Sequence, residues 1–310
     1  MRRVMLLDSA SLYFRAFYGV PESVTSPDGM PVNAVRGFCD MVSSLITRFS
    51  PTDLVACLDY DWRPAWRVEL LPSYKAHRVA VPQPAGTPDV ENVPDLLSPQ
   101  VPVLLKVLEA AGLCAVGAED FEADDVIATL AHRYGTGADH VLVVSGDRDL
   151  IDLATENVTV VYTGKGMSKL VEFTPAEVQA QYGIPAGSYA DFAILRGDPS
   201  DGLPGVAGIG EKTAALVVSK HGRIEQILSL AQSGDPAMSP NVRTKVLKAA
   251  DYLVVAPAVV RGRTDVPVPE LSTVIPSSPA DPEFLAALAE KFGLQSAVDR
   301  LAKALASVAQ

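Results

Sequence analysis

The chain has little from which to build a disulfide framework, a zinc site or a membrane span. Its 310 residues hold three cysteines, Cys39, Cys57 and Cys114, scattered and with no CxxC pair. An odd number without ligand spacing reads as reduced, buried thiols of a cytoplasmic protein. The four histidines, His77, His132, His140 and His221, are isolated. That leaves no imidazole cluster for zinc and no Ser/His/Asp arrangement for a nucleophilic hydrolase. A P-loop is missing, as is any repeat of fixed period. No apolar run approaches about eighteen residues, and the apolar stretch at the start is too short for a signal peptide. Net positive charge is missing too. Against 37 acidic residues stand 26 basic ones, a formal charge of -11. On composition alone this argues against indiscriminate binding to a polyanion.

What is present supports a large folded body: 48% of residues are hydrophobic, enough for one large domain or two modest ones. One stretch stands apart. Residues 79–102 hold Pro82, Pro84, Pro88, Pro94, Pro99 and Pro102 and no lysine or arginine. They read as a mobile excursion from the core. Just before them lies the densest basic-aromatic run, Arg63, Arg67, Lys75 and Arg78 beside Trp62, Trp66 and Tyr74. Its plain reading is a solvated helix with packing aromatics. Its functional reading is phosphate pairing and base stacking on a nucleic acid.

Short apolar runs at Arg3–Leu7, Leu54–Leu58 and His140–Val144 have the length of buried strands. They run out near Asp8, Asp59 and Asp147. Helices separate them, the clearest being Ala34–Phe49, with Val35, Phe38, Val42, Leu45, Ile46 and Phe49 at helical spacing. Leu113–Val116 reads as another strand, and Val158–Tyr162 with Leu170–Phe173 as an edge pair. Connections of this length favour parallel strands, hence an α/β fold with a central, mainly parallel sheet flanked by helices. From Thr174 the chain reads as mainly helical, opening with proline at the first helical position and Glu177 three residues after the cap. Asn241–Val254 reads as one helix and Val260–Pro279 as a connector. The division is an α/β unit over 1–173 and a helical region over 174–310.

In parallel sheets the site lies at the carboxyl ends of the strands, so Asp8, Asp59 and Asp147 converge on one edge. Arg15, close behind Asp8, is placed to meet a phosphate, whereas the aromatics around it read as core. The helix opening at Phe121 carries Glu122, Asp124 and Asp125, more carboxylates than a helix cap needs. Asp149 follows Asp147 by two. Asp198 and Asp201 lie on a Pro/Gly turn, which suits a hard cation. Gly208-Ile209-Gly210 then opens a helix through Lys212, leaving first-turn N–H groups outward for a phosphate. Two like charges about 5 Å apart repel by roughly 3 kcal/mol at an effective dielectric near 20. Nine gathered acids therefore need cations, and all-oxygen donors indicate Mg²⁺ or Mn²⁺. Two such ions about 4 Å apart can clamp a phosphoryl displacement.

The segments LLDSASLYFRAF, NAVRGF, LDYDWRPAWR, SYKAHR, FEADDVIATLA, VSGDRDL and RGDPSDGLPGVAGIGEKTA together resemble the bacterial 5′-nuclease and flap endonuclease family, which includes the 5′→3′ exonuclease domain of DNA polymerase I. The resemblance spans Leu6 to about Leu301. It implies a PIN/5′-nuclease-like sheet and two or more divalent metals. Asp8, Asp59, Glu122, Asp124 and Asp125 gather near one of these, and Asp147, Asp149, Asp198 and Asp201 near the other. It implies a helical arch over about 63–105, with Lys75 and Arg78 as the active-site basic pair at its foot and Arg15, Arg67 and Tyr74 as further DNA contacts. It implies a helix–three-turn–helix over about 190–222 that holds duplex backbone through Gly208, Ile209, Gly210 and Lys212 and accepts a K⁺ ion on its carbonyls. Two features depart from the family: Ser9 replaces the usual glycine after the first aspartate, and the arch segment is longer and lacks basic residues until Lys106.

The reading is a stand-alone, structure-specific 5′ nuclease, complete at its helical tail. It acts as a cytoplasmic, nucleoid-associated monomer on DNA with 5′ flaps, nicks or 5′ ends, extending to RNA–DNA hybrid, and away from membranes. A PIN-type ribonuclease shares the strand-end acids but does not need Gly197–Thr213. A non-catalytic DNA-binding module uses the glycine turn and gives no reason for the acids.

Overall fold

A computed structural model describes residues 2–84, 87, 89–137 and 139–308. The chain opens with β1 (Arg3–Asp8), α1 (Ser9–Gly19), α2 (Asn33–Phe49) and β2 (Asp53–Cys57). Next come α3 (Ala65–Leu70), a 3-10 turn at Ala76–Arg78, and the small strands β3 (Val79–Val81) and β4 (Val90–Glu91). The α/β pattern resumes with α4 (Gln100–Ala111), β5 (Cys114–Val116), α5 (Ala123–Gly135), β6 (His140–Ser145), β7 (Val158–Tyr162) and β8 (Val171–Phe173). The helices α6 (Pro175–Tyr182), α7 (Tyr189–Arg196), α8 (Glu211–His221), α9 (Ile224–Ser233), α10 (Pro240–Lys248), α11 (Ala250–Val260), α12 (Pro282–Phe292) and α13 (Gln295–Val308) complete it.

The main sheet has the order β5-β2-β1-β6-β7-β8, parallel except for β8. Period-two alternation decides which face each side chain meets. Val4 and Leu6 of β1 pack on one side with α5, while Met5 and Leu7 pack on the other with α1, α2 and α4. Both faces are covered, so the inner strands are apolar throughout, as a buried parallel strand must be. The register pairs Asp8 with Cys57 and Leu7 with Val144. The carboxyl ends of β1, β2 and β6 therefore finish level.

The core on the α5 side continues without a break into α7, α8, α9 and α11. The expected helical region over 174–310 is not one block. α12 and α13 return to the α/β unit, where Leu285, Leu288, Val298, Leu301 and Leu305 share a core with Phe38, Val42 and Leu45 of α2. The apolar stripe of α13 needs a cover, and the exposed side of α2 provides one. The single helix read over Asn241–Val254 is two, divided at Ala249. The second carries Pro257 and runs to Val260, shortening the connector.

No helical arch stands over 63–105 among the described residues. α3 is six residues long, and β3 pairs antiparallel with β4 where the arch is expected. Proline explains this: it supplies no N–H and holds the residue before it extended. Nor is the described part of this stretch a loose excursion. Trp62 Nε1 donates to the Asp89 carbonyl at 2.7 Å and the Asn92 N–H to the Arg78 carbonyl at 2.8 Å. Leu97 is buried against Phe17 and Ala34, and the buried Gln100 accepts from the Ala34 N–H at 2.8 Å.

Candidate active site

The level strand ends bring Asp8, Asp59 and Asp147 to one edge. Asp8 ends β1 and caps α1, accepting from the Ser11 N–H at 3.1 Å and from Ser145 Oγ on β6 at 2.6 Å. Burial, opposed by Ser145 and reinforced by the nearby Asp59 and Asp147 charges, pushes its carboxyl up to about 7. Asp59 accepts from the Ala123 N–H at 2.7 Å, which locks the end of β2 to the first turn of α5. Asp147 stands exposed on the turn after β6. Asp124 is driven well above the ordinary carboxylate range by burial, with the Asp8 charge next. Burial and the neighbouring Asp147, Asp201 and Asp198 do the same to Asp149.

Glu122 and Asp125 differ in their surroundings. They form a capping box at the start of α5 and face cations. The Arg67 guanidinium donates to both Asp125 oxygens, at 2.7 and 2.8 Å, and to Glu122 at 2.7 Å. Glu122 also accepts from Tyr74 Oη at 2.8 Å and is ion-paired with Lys75. Although burial alone raises a carboxyl, Lys75 and Arg67 hold Glu122 below its ordinary value. Asp125 further accepts from the Arg263 N–H at 2.9 Å.

This corrects three expectations. Arg67 and Tyr74, read as DNA contacts, are 2% and 5% exposed and reach inward to these acids. Asp125, read as a metal ligand, spends both oxygens on arginine. The residue types suit nucleic-acid contact as well as they suit a buried cationic prop, and only the packing separates the two.

Asp198 and Asp201 join the cluster through their loop. The Lys75 N–H donates to the Asp201 carbonyl at 3.0 Å and Ser73 Oγ to the Gly202 carbonyl at 2.8 Å. Arg78 Nη2 donates to the Asp201 carboxylate at 2.9 Å and to the Ser200 carbonyl at 2.7 Å. Arg196 donates to Asp198 at 3.1 Å. Arg78 remains partly exposed at the rim, whereas Lys75 is buried.

The glycine turn lies beyond, between α7 and α8. Gly208 is left-handed, with φ 78°, and Gly210 is the N-cap of α8 with no side chain capping the first turn. Its outer N–H groups thus remain open to an anion. Lys212 is exposed, and Ile209 is buried in the core, so Ile209 holds the turn down and offers outward only its backbone. Lys245, on α10, donates to the Gly208 carbonyl at 2.8 Å.

Arg15 lines a cleft of about 800 Å³ with Phe14, Tyr18, Met41, Asp147 and Met167. Among the described residues its Nε is buried without a partner. Sequence reasoning missed Lys245 and Glu91. Glu91, opposite Val79 in the β3–β4 pair, is raised by burial and lies within electrostatic reach of Arg78, Asp59, Lys75 and Glu122. Neither residue belongs to a motif.

Among the described residues, no three carboxylates, imidazoles or thiols close to the spacing that grips one ion as the side chains stand. The donors nonetheless suit hard cations: Asp8, Asp124, Asp149 and Asp201 are held toward protonation by burial, a cost that a divalent charge would offset. Arg78 and Arg15 border the same edge.

Comparison with known proteins gives the relationship. Residues 3–183 match the family model described as "5'-3' exonuclease, N-terminal resolvase-like domain", and residues 184–283 match "5'-3' exonuclease, C-terminal SAM fold". The chain is 52% identical over 312 residues to a 5'-3' exonuclease of Mycobacterium tuberculosis, covering 97% of each. It is 52% identical over 299 residues to one of Streptomyces coelicolor, covering 96% of this chain and 98% of that one. The fold superposes on the T5 D15 protein co-crystallised with metal ions, with a TM-score of 0.65 at 18% identity over the full length of both.

Proposed function

Because the chain belongs to the 5′-3′ exonuclease family, we propose that its carboxylate edge hydrolyses DNA phosphodiesters near single-strand/duplex junctions, using Mg²⁺ or Mn²⁺. Its relatives of 52% identity are 5'-3' exonucleases, and structure specificity is part of this reading. The finer assignment is to residues. Asp8, Asp59, Glu122 and Asp124 would hold one ion and Asp147, Asp149, Asp198 and Asp201 another, with Asp125 as their prop. Bound there, divalent ions supply a water of lowered pKa and a counter-charge for the phosphate.

The chain's own side chains do the rest. Arg78 meets the scissile phosphate from the rim, and Lys75, behind it, keeps Glu122 oriented. Arg15 borders the same edge from α1. The α8 N-terminus, with Lys212, grips the duplex phosphates through backbone N–H groups and the dipole. The backbone carbonyls of this turn would hold a K⁺ ion, and one of them, that of Gly208, already accepts from the Lys245 ammonium. The substrates are 5′ flaps, nicks and 5′ ends, with RNA–DNA hybrid as a further class.

One observation carries the reading: three strand-end acids and the acidic start of α5 meet at one sheet edge beside the partly exposed Arg78 and Arg15. The test is cleavage of a 5′-labelled flap duplex with Mg²⁺, Mn²⁺ or chelator. Asp147→Asn should lower turnover at least about a hundredfold. Wild-type turnover in that variant would falsify the ligand assignment.

A further inference from the structure

Tyr60 is 55% exposed, although it directly follows Asp59 at the end of β2. Its ring is not loose. A Cβ built on Gly117 would overlap the Tyr60 ring, so the ring lies against bare backbone. Gly117 does not have the left-handed backbone that favours glycine. What the position demands is space.

The chain on either side of the ring is fixed. The Leu58 N–H donates to the Val116 carbonyl at 2.9 Å, and the Asp61 N–H donates to the Phe121 carbonyl at 3.3 Å. Asp61 is buried and accepts from the Arg63 N–H at 3.0 Å. The aromatic plate is thus seated beforehand and partly open to solvent. Little side-chain freedom remains to be lost when something stacks on it.

The surroundings select the ligand. Asp59 and Asp61 flank Tyr60, and Glu119 and Asp120 follow Gly117 closely. Away from bound ions, these charges disfavour a phosphate against the ring itself. They do not disfavour a neutral, flat π-face. From this geometry we infer that Tyr60 is a stacking platform for an unpaired nucleobase of the 5′ strand, placed one residue from Asp59. The inference rests on the nuclease reading above. Tyr60 is a specificity residue: it sets how the single-stranded side is seated, and with it the phosphate that reaches the carboxylates.

The test uses the full chain and a duplex with a single-nucleotide 5′ flap whose unpaired base is 2-aminopurine. With Ca²⁺ in place of Mg²⁺, binding should quench the fluorophore in the wild type and in Tyr60→Phe, and not in Tyr60→Ala. With Mg²⁺, Tyr60→Ala should raise KM on this substrate roughly tenfold, the scale of one lost base–aromatic stack, and should blur the incision position. Tyr60→Phe should restore both. Gly117→Val, which keeps the tyrosine and displaces its ring, should behave like Tyr60→Ala. The proposal is overturned if Tyr60→Ala quenches and cleaves like the wild type, or if the folded wild type cleaves without quenching. Quenching that depends on Tyr60 in a protein that cleaves no 5′ substrate would sink the nuclease reading and leave the platform standing.

Discussion

The main-chain N–H of Lys75 donates to the carbonyl of Asp201 at 3.0 Å. Through this joint the turn carrying Lys75 and Arg78 is fastened to the loop carrying Asp198 and Asp201. Cationic rim and acidic loop therefore share one backbone contact, and a shift in either moves both.

Gly202 makes the joint possible. Its φ is 70°, and a side chain there would run into the Ser73 carbonyl. Gly202→Ala should strain the loop by about 1–3 kcal/mol, and turnover on a flap substrate should fall roughly tenfold or more. Because the misfit is local, the melting temperature should move only a few degrees. Steady-state kinetics and thermal denaturation check this together; unchanged turnover would show that the joint does not govern the site.

Arg67 is a prop, not a DNA contact. Arg67→Met should destabilise the fold by about 3–5 kcal/mol, since it leaves the Glu122 and Asp125 carboxylates buried with a cation missing. Urea denaturation measures that. The salt dependence of DNA binding by the folded fraction should keep its slope, because no phosphate contact is lost. A shallower slope would return Arg67 to the DNA interface.

The buried acids make metal-free stability depend on pH. Asp8, Asp124, Asp149 and Asp201 all sit above their ordinary value of 3.8, Asp8 at about 7. Between those values the folded chain holds protons that the unfolded chain has released. Stability from these groups is therefore present in acid and lost as pH rises toward 7. Glu122 works in the opposite sense: it is lowered from 4.5, so its contribution is lost below that. In chelator, the melting temperature should fall by roughly 5 °C from pH 5 to 7.5, and Mg²⁺ or Mn²⁺ should abolish the fall. A flat profile in chelator would contradict the shifts.

Lys245 supplies the glycine turn with a built-in cation, its ammonium donating to the Gly208 carbonyl at 2.8 Å. Lys245→Met should weaken duplex binding several-fold, on the scale of a charge-assisted hydrogen bond. At equal ionic strength, K⁺ should restore more of that binding than tetramethylammonium, which is too large to reach the carbonyl. Equal binding in both salts would show that the turn needs no cation there.

Much of the fold was legible. The strands at Arg3, Leu54 and His140 are unbroken apolar runs, and a run that can be covered on both faces has few other places to go. The strand-end aspartates were legible for the same reason: an acid at the end of such a run must emerge at the sheet edge. α7, the first helix of the expected helix–three-turn–helix, shows no helical stripe of its own, because every residue from Tyr189 to Leu195 is buried. The arch that the resemblance implies does not form among the described residues, where prolines remove N–H donors and β3 pairs with β4 instead.

By itself, the sequence determined the sheet, the gathering of acids at its carboxyl edge and the glycine entry to α8, since strand periodicity, helix starts and turn chemistry are local. Only tertiary structure decided which charges face water. Arg67 and Arg78 lie in one short basic run; the first is walled in by Glu122, Asp125 and the Val259 carbonyl, and the second reaches the rim over Asp201. Their spacing along the chain is silent on this, because burial is fixed by partners that arrive from distant parts of the chain.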